Sequence, residues 1–138
     1  MSILASVHWE QEVQFKARAD SGHTVVIDGP QEAGGNNAGF RPMELMLLGL
    51  GGCMALDVLM ILRKMRQEVT AYRVELNAER AEDAPRVYTS VKMEHVFSGK
   101  DLKLASVQRA IDLAETKYCS GSAMFTKTAK ITNTFRIE

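Results

Sequence analysis

Two cysteines, Cys53 and Cys119, are the only thiols in this chain of 138 residues. They lie 66 positions apart, Cys53 in the nearly apolar stretch "LGLGGCMALDVL" and Cys119 in "KYCSGSAM". A thiolate is a nucleophile, a redox centre and a metal ligand, and a second thiol within reach lets an oxidised sulfur close to a disulfide. In a reducing compartment a lone cysteine pair is more often catalytic or redox-active than a structural staple. A buried cysteine also serves as a small apolar filler. Residue types alone leave both readings open.

The other chemistry-bearing residues say less. His8 and His23 fall in strand or turn contexts, and His95 falls on the apolar face of a strand, where a satisfied core histidine is expected. No pair of Cys or His has the close spacing of zinc ligands, so no metal is expected. The chain carries no P-loop, no G-x-G-x-x-G and no G-x-S-x-G, so no nucleotide cofactor and no serine nucleophile are expected. Lys+Arg and Asp+Glu are 17 each, a balance that offers no electrostatic footprint for nucleic acid or an anionic membrane. The N-terminus "MSILASVHWEQEVQ" lacks a basic region followed by an apolar run, so no signal peptide is read and a cytoplasmic protein is the default.

The elements that position the thiols follow from periodicity. A length of 138 residues suits one domain spanning 1–138. Val13, Phe15 and Ala17 alternate with polar residues, "DSGH" marks a turn and "TVVID" a second strand, giving a hairpin. Gly29 to Phe40 is rich in Gly and Asn and reads as a long loop: a lid, a dimer contact or a plain crossing from sheet to helix. Pro42 suits a first helical turn, and the spacing predicts a helix to about Arg66. From Met43 to Leu62 only Glu44 and Asp57 are charged, with apolar residues all round. Such a helix is enclosed on every side or spans a membrane. Two acids, three glycines and amphipathic strands on both sides favour a globular core, and in so short a chain the covering calls for a second subunit.

Beyond the helix, Tyr72, Val74, Leu76 and Ala78 define one strand. "AEDAP" makes a turn, and Val87, Thr89, Val91, Met93 and Phe97 face one way from the next strand. "SGKD" opens a second helix with the apolar stripe Leu104, Val107, Ile111, Ala114 and Tyr118, and Cys119 falls at its end. "ITNTFRIE" closes the chain as a strand. The order β-β-α-β-β-α-β predicts an α+β fold with helices against antiparallel sheets.

Both thiols have candidate backbone donors. Gly49, Gly51 and Gly52 precede Cys53, and each costs up to about 1 kcal/mol in a helix interior. They imply either a helix break that sets Cys53 near a new N-terminus or close approach of a second backbone. Ser120 or Ser122 could cap a short helical turn through Phe125, again placing a thiol beside N–H groups. A helix-ending turn with Gly121 at positive φ is the bland alternative.

The combination of "RPMELMLLGLGGCMALDV", the 66-residue gap and "KYCSGSAM" resembles the OsmC/Ohr family, and the match spans essentially the whole chain. The resemblance implies an intertwined homodimer in which sheets from both subunits wrap two long central helices. It implies a thiol-dependent peroxidase reducing organic hydroperoxides, with Cys53 as peroxidatic thiolate and Cys119 as resolving thiol. The two would close to a disulfide that a dithiol reductant reopens. Family members hold the thiolate with an arginine and a glutamate. Here the usual Asn-Pro-Glu is "RPM", with Met43 at the acidic position, so Glu44 is the neighbouring acid. Arg18 best matches the arginine, with Arg41 second. A hydrophobic-ligand-binding protein and a thiol–disulfide oxidoreductase or sensor of the same fold are the competing readings.

Overall fold

A computed structural model describes Met1–Glu138, and the chain divides into two compact units, Met1–Met46 and Leu47–Glu138. In the first, β1 (Ala5–Gln11), β2 (Gln14–Ala19) and β3 (Thr24–Ile27) form an antiparallel sheet in that order. The expected hairpin is β2–β3, with Phe15 opposite Ile27 and Ala17 opposite Val25. The strand β1 is additional. Its turn into β2 is tight, with Glu12 at φ 48, and carries none of the Gly, Asn or Pro that announce a turn.

The loop after β3 is tightly organised. It makes a single 3₁₀ turn, Gln31–Ala33, and returns so that Phe40 bridges to Ile27. Buried Asp28 holds it: its carboxylate accepts the N–H groups of Gly29 at 2.7 Å and of Asn36 and Ala38 at 3.0 Å each. The Ala38 N–H does most to keep this carboxyl below its ordinary range, against the opposing effect of burial. A Cβ on Gly39 would run into the Val26 carbonyl, so only glycine lets the returning strand lie this close.

The helix α1 spans Pro42–Lys64 without a break, close to its expected extent. Glu44 Oε1 accepts the Arg41 N–H at 2.8 Å, satisfying an otherwise orphaned donor at the helix start. The far end closes with Arg66 at φ 58 and a Gln67 N–H to Leu62 carbonyl bond of 2.9 Å, the wrap-around hydrogen bond of a left-handed C-terminal cap.

In the second unit, β4 (Glu68–Arg80), β5 (Tyr88–Lys100) and β6 (Lys130–Ile137) form a sheet in that order. The β4–β5 pair is antiparallel, as expected, but β6 runs parallel to β5, with Val91 opposite Ile131 and His95 opposite Phe135. The α+β class stands; the purely antiparallel sheet does not. A parallel return needs a crossover of a dozen residues or more, and the helical segment between β5 and β6 supplies it. That segment comprises α2 (Leu104–Leu113), a π-helical turn (Ala114–Tyr118) and α3 (Ser120–Phe125).

The core of this unit gathers Leu50, Met54, Val58 and Leu62 of α1, Val91, Met93, Val96 and Phe97 of β5, and Val107, Ala110 and Ile111 of α2. The i, i+4 spacing of the α1 residues makes one buried stripe. Gly51 admits the side chain of Leu76, which would lie 2.8 Å from a Cβ there. Leu48, Leu56 and Met60 of α1 are half exposed or more, so within one chain the helix is covered on one side only. Two apolar expectations fail locally. A bulge where Arg80 pairs with Tyr88 shifts the alternation of β5, so Tyr88 is buried in place of Val87 and Thr89. β5 also continues through "SGK" to Lys100, α2 starts only at Leu104, and Leu104 and Tyr118 at the two ends of the stripe are exposed.

His95 is fully buried and satisfied at both nitrogens, by Tyr72 Oη at 2.7 Å and Asn133 Oδ1 at 2.8 Å, so it is the core histidine its position implies. With Nε2–H donating to Asn133, Nδ1 accepts from the Tyr72 hydroxyl. Burial lowers the His95 pKa and raises that of Tyr72, so both are neutral.

Candidate redox site

Three residues that the sequence spreads over 67 positions come together in the second unit. The sulfurs of Cys53 and Cys119 and a carboxylate oxygen of Asp57 all lie within 4.8 Å of one another. Both cysteines are free thiols. Cys53 and Asp57 stand one turn apart on α1, which puts them on the same face.

Cys119 is delivered by the crossover. The π-helical turn ends with the Cys119 N–H bonded to the Ala114 carbonyl at 2.8 Å. Cys119 itself then adopts an extended conformation (φ −74, ψ 107) and caps α3. Its sulfur accepts the Ser122 N–H at 3.3 Å, and the Cys53 sulfur accepts the Gly121 N–H at 3.5 Å. The two thiols thus share the first backbone donors of one short helix. The cap is the cysteine rather than Ser120 or Ser122, and Gly121 does not adopt positive φ. Gly121 eases the approach: a Cβ there would lie 3.3 Å from Leu50 Cδ1 and 3.5 Å from Cys53 Cβ.

The thiols differ in access. Cys119 is 3% exposed, whereas Cys53 is half-buried. Burial pushes the Cys119 thiol above its ordinary value; Ser122 opposes this, and neighbouring Cys53 adds to it. The buried Ser122 hydroxyl makes no well-aligned hydrogen bond, but it lies near the Cys119 sulfur and favours its ionised form. Asp57 also lines a cavity of about 320 Å³ whose walls include Met60, Ile61, Met65 and Leu113, with Lys64 and Tyr118 as polar members.

The remaining sequence candidates belong to the first unit. Arg18 lies on β2, paired with Ser6 and Thr24. Arg41 uses its guanidinium on Asn37 Oδ1 at 3.0 Å and the Gly39 carbonyl at 3.1 Å. Glu44 is exposed and occupied with the Arg41 N–H. The helix is continuous between Glu44 and Cys53, so no break at the glycines sets Cys53 at a new N-terminus. Sequence reasoning passed over Asp57 as a functional residue, although its i+4 offset from Cys53 was the available signal.

A model of the OsmC-like protein family matches residues 34–134. The chain belongs to the OsmC-like family. Protein YhfA of Escherichia coli strain K12 is 40% identical over 138 residues, covering 98% of each chain. Among solved structures, a hypothetical protein from Aquifex aeolicus VF5 is 27% identical, covers 100% of this chain with 97% of its own, and superposes with a TM-score of 0.88. The organic hydroperoxide resistance protein OhrB of Bacillus subtilis shares the fold at 16% identity and a TM-score of 0.65, with coverage of 99% and 98%. The α+β architecture expected from the sequence is the OsmC-like fold.

Proposed function

We propose that this OsmC-like chain is a thiol-dependent peroxidase acting on organic hydroperoxides, with Cys53 peroxidatic and Cys119 resolving. The observation that carries the reading is a pair of free thiols of unequal access within 4.8 Å, each accepting a backbone N–H. The attacking sulfur must meet substrate, which suits the half-buried thiol; the resolving sulfur need only meet its neighbour, which suits the buried one. The Cys53 thiolate attacks the distal peroxide oxygen, the O–O bond breaks, and the alkoxide leaves as an alcohol on taking a proton from water, with Cys53 as sulfenic acid. The Cys119 sulfur displaces water from it, forming the disulfide. A dithiol reductant returns both thiols and is itself oxidised. The apolar walls beside Asp57 favour a substrate with an organic substituent over hydrogen peroxide.

The working form we propose is a cytoplasmic homodimer. The exposed apolar residues Leu48, Leu56 and Met60 of α1, and Val7 and Trp9 of β1, are the surface such a dimer would cover. Arg18, with Arg41 second, is proposed to hold the thiolate, a role that rests on the family resemblance; Glu44 would join only from a partner subunit, since on its own unbroken helix it stands nine residues from Cys53, on the opposite face. The test is reduction of cumene hydroperoxide, hydrogen peroxide and a model disulfide with a dithiol donor. Cumene hydroperoxide should be the fastest, and Cys53→Ser should abolish turnover. Full activity in Cys53→Ser would overturn the reading. The apolar cavity gives ligand binding without turnover a footing, and rates no better than free thiol on all three substrates would leave that reading in place of the peroxidase.

A further inference from the structure

We propose that Cys53, Asp57 and Cys119 form a three-ligand site for a thiophilic divalent cation, Zn²⁺ by donor chemistry, with a fourth position left for water or an exogenous ligand. No close sequence pair announces such a site; the fold assembles it from one helix face and one helix cap. The donors are two sulfurs and a carboxylate oxygen, mutually within 4.8 Å. Tetrahedral zinc with Zn–S near 2.3 Å and Zn–O near 2.1 Å requires donor separations of about 3.5–3.8 Å. No pair therefore has to close by more than about 1.3 Å, a movement within reach of small side-chain rotations. Two of the three ligands are fixed one turn apart on an unbroken helix, so the site is largely formed before the ion arrives.

The surroundings suit metal-bound thiolates. The Gly121 and Ser122 N–H groups already point to the two sulfurs, and such outer hydrogen bonds orient and stabilise ligating groups. The buried Ser122 hydroxyl, which makes no well-aligned hydrogen bond, is a further donor beside the Cys119 sulfur. A carboxylate next to two thiolates is repulsive on its own; a dication among the three removes that repulsion. On binding, two thiols release two protons and the carboxylate releases none. The metal occupies both sulfurs, so the loaded form resists oxidation, and a Cys53–Cys119 disulfide excludes the ion. This inference goes beyond the peroxidase reading and stands or falls without it, since the readout below involves no turnover.

The experiment titrates the reduced full-length protein anaerobically with Co²⁺, then with Zn²⁺. The expected result is a thiolate-to-cobalt charge-transfer band saturating at one Co²⁺ per chain and displaced by one Zn²⁺. Cys53→Ser and Cys119→Ser should each diminish the band, and prior oxidation with diamide should abolish it. Asp57→Asn, nearly isosteric, should keep the melting temperature of the metal-free protein and weaken Zn²⁺ at least about tenfold. The proposal is overturned if reduced wild-type protein gives no band, if binding saturates at one ion per two chains, or if Asp57→Asn binds as tightly as wild type.

Discussion

Substituting Gly121 should slow disulfide closure without removing either thiol. A Cβ at this position would lie 3.3 Å from Leu50 Cδ1, 3.4 Å from Leu50 Cα and 3.5 Å from Cys53 Cβ. Leu50 is 1% exposed and locked in the core, so α1 has little room to yield. Alanine fits with adjustments of a few tenths of an ångström. Valine adds two methyl groups beyond a Cβ already in contact, and α3 must retreat by about 1 Å; overpacking of this kind costs about 1–3 kcal/mol. Because a disulfide needs Cβ atoms about 3.5–4.5 Å apart, closure has to drive the same residues back together against that strain. If the strain falls on the closure barrier, Gly121→Val closes about 5- to 150-fold more slowly than wild type, with Gly121→Ala in between. The assay mixes reduced protein with saturating diamide, so that the intramolecular step limits, and counts free thiols by mass spectrometry after acid quench. A folded Gly121→Val protein closing its disulfide at the wild-type rate would refute the idea that close packing of α3 on α1 sets the reach between the sulfurs.

Other consequences can be checked independently. His95 has a folded pKa below its ordinary 6.5 because burial disfavours the charged ring, so the unfolded chain binds the proton more readily. Its contribution is present above about pH 6.5 and is lost as pH falls below that value; urea midpoints measured from pH 8 to 5 should decline over this range, and less steeply in His95→Gln. An equal slope in the variant would remove His95 as the cause. Asp28→Asn keeps one carbonyl acceptor in place of two carboxylate oxygens, so amide exchange at Asn36 and Ala38 should quicken at least about tenfold by NMR, with Gly29 least affected. If the exposed stripe of α1 is a dimer face, Leu56→Glu should shift the mass in sedimentation equilibrium from two chains towards one, and an unchanged mass would free that face from the role.

The sequence made some of this legible because the physics involved is local. The two alternating strands after α1 are β4 and β5, and a helix apolar all round is α1. The parts it concealed depend on pairing across distance. The direction of β6 is set by the crossover before it, and nothing within "ITNTFRIE" distinguishes a parallel from an antiparallel neighbour. The bulge at Tyr88 exchanges the two faces of β5 over a few residues, which strict alternation has no means to anticipate. At the site, the glycines before Cys53 suggested a break or a close approach. Gly51, with Leu76 against it, is a close approach, and the N–H donors come from α3 instead of α1. Asp57 was visible only as one of two acids in an apolar run; its meaning came from the second thiol, 62 residues away.

The π-helical turn at Ala114–Tyr118 gives the thiol pair a tolerance of chain length that composition does not reveal. A π-turn holds one residue more than the α-turn it replaces. Deleting one exposed residue within it, such as Thr116, would let α2 continue as an ordinary helix, with Val107, Ala110 and Ile111 still buried. Because the π-turn absorbs its extra residue within a single turn, later positions would keep nearly the same orientation and depth, and the second cysteine would still face Cys53. Deleting a residue from the regular part of α2 is different: it would turn every later position by about 100° and draw it back by about 1.5 Å. In comparing relatives, a chain one residue shorter between the buried Ala114 and the second cysteine can therefore keep the pair by exchanging the π-turn for an α-turn.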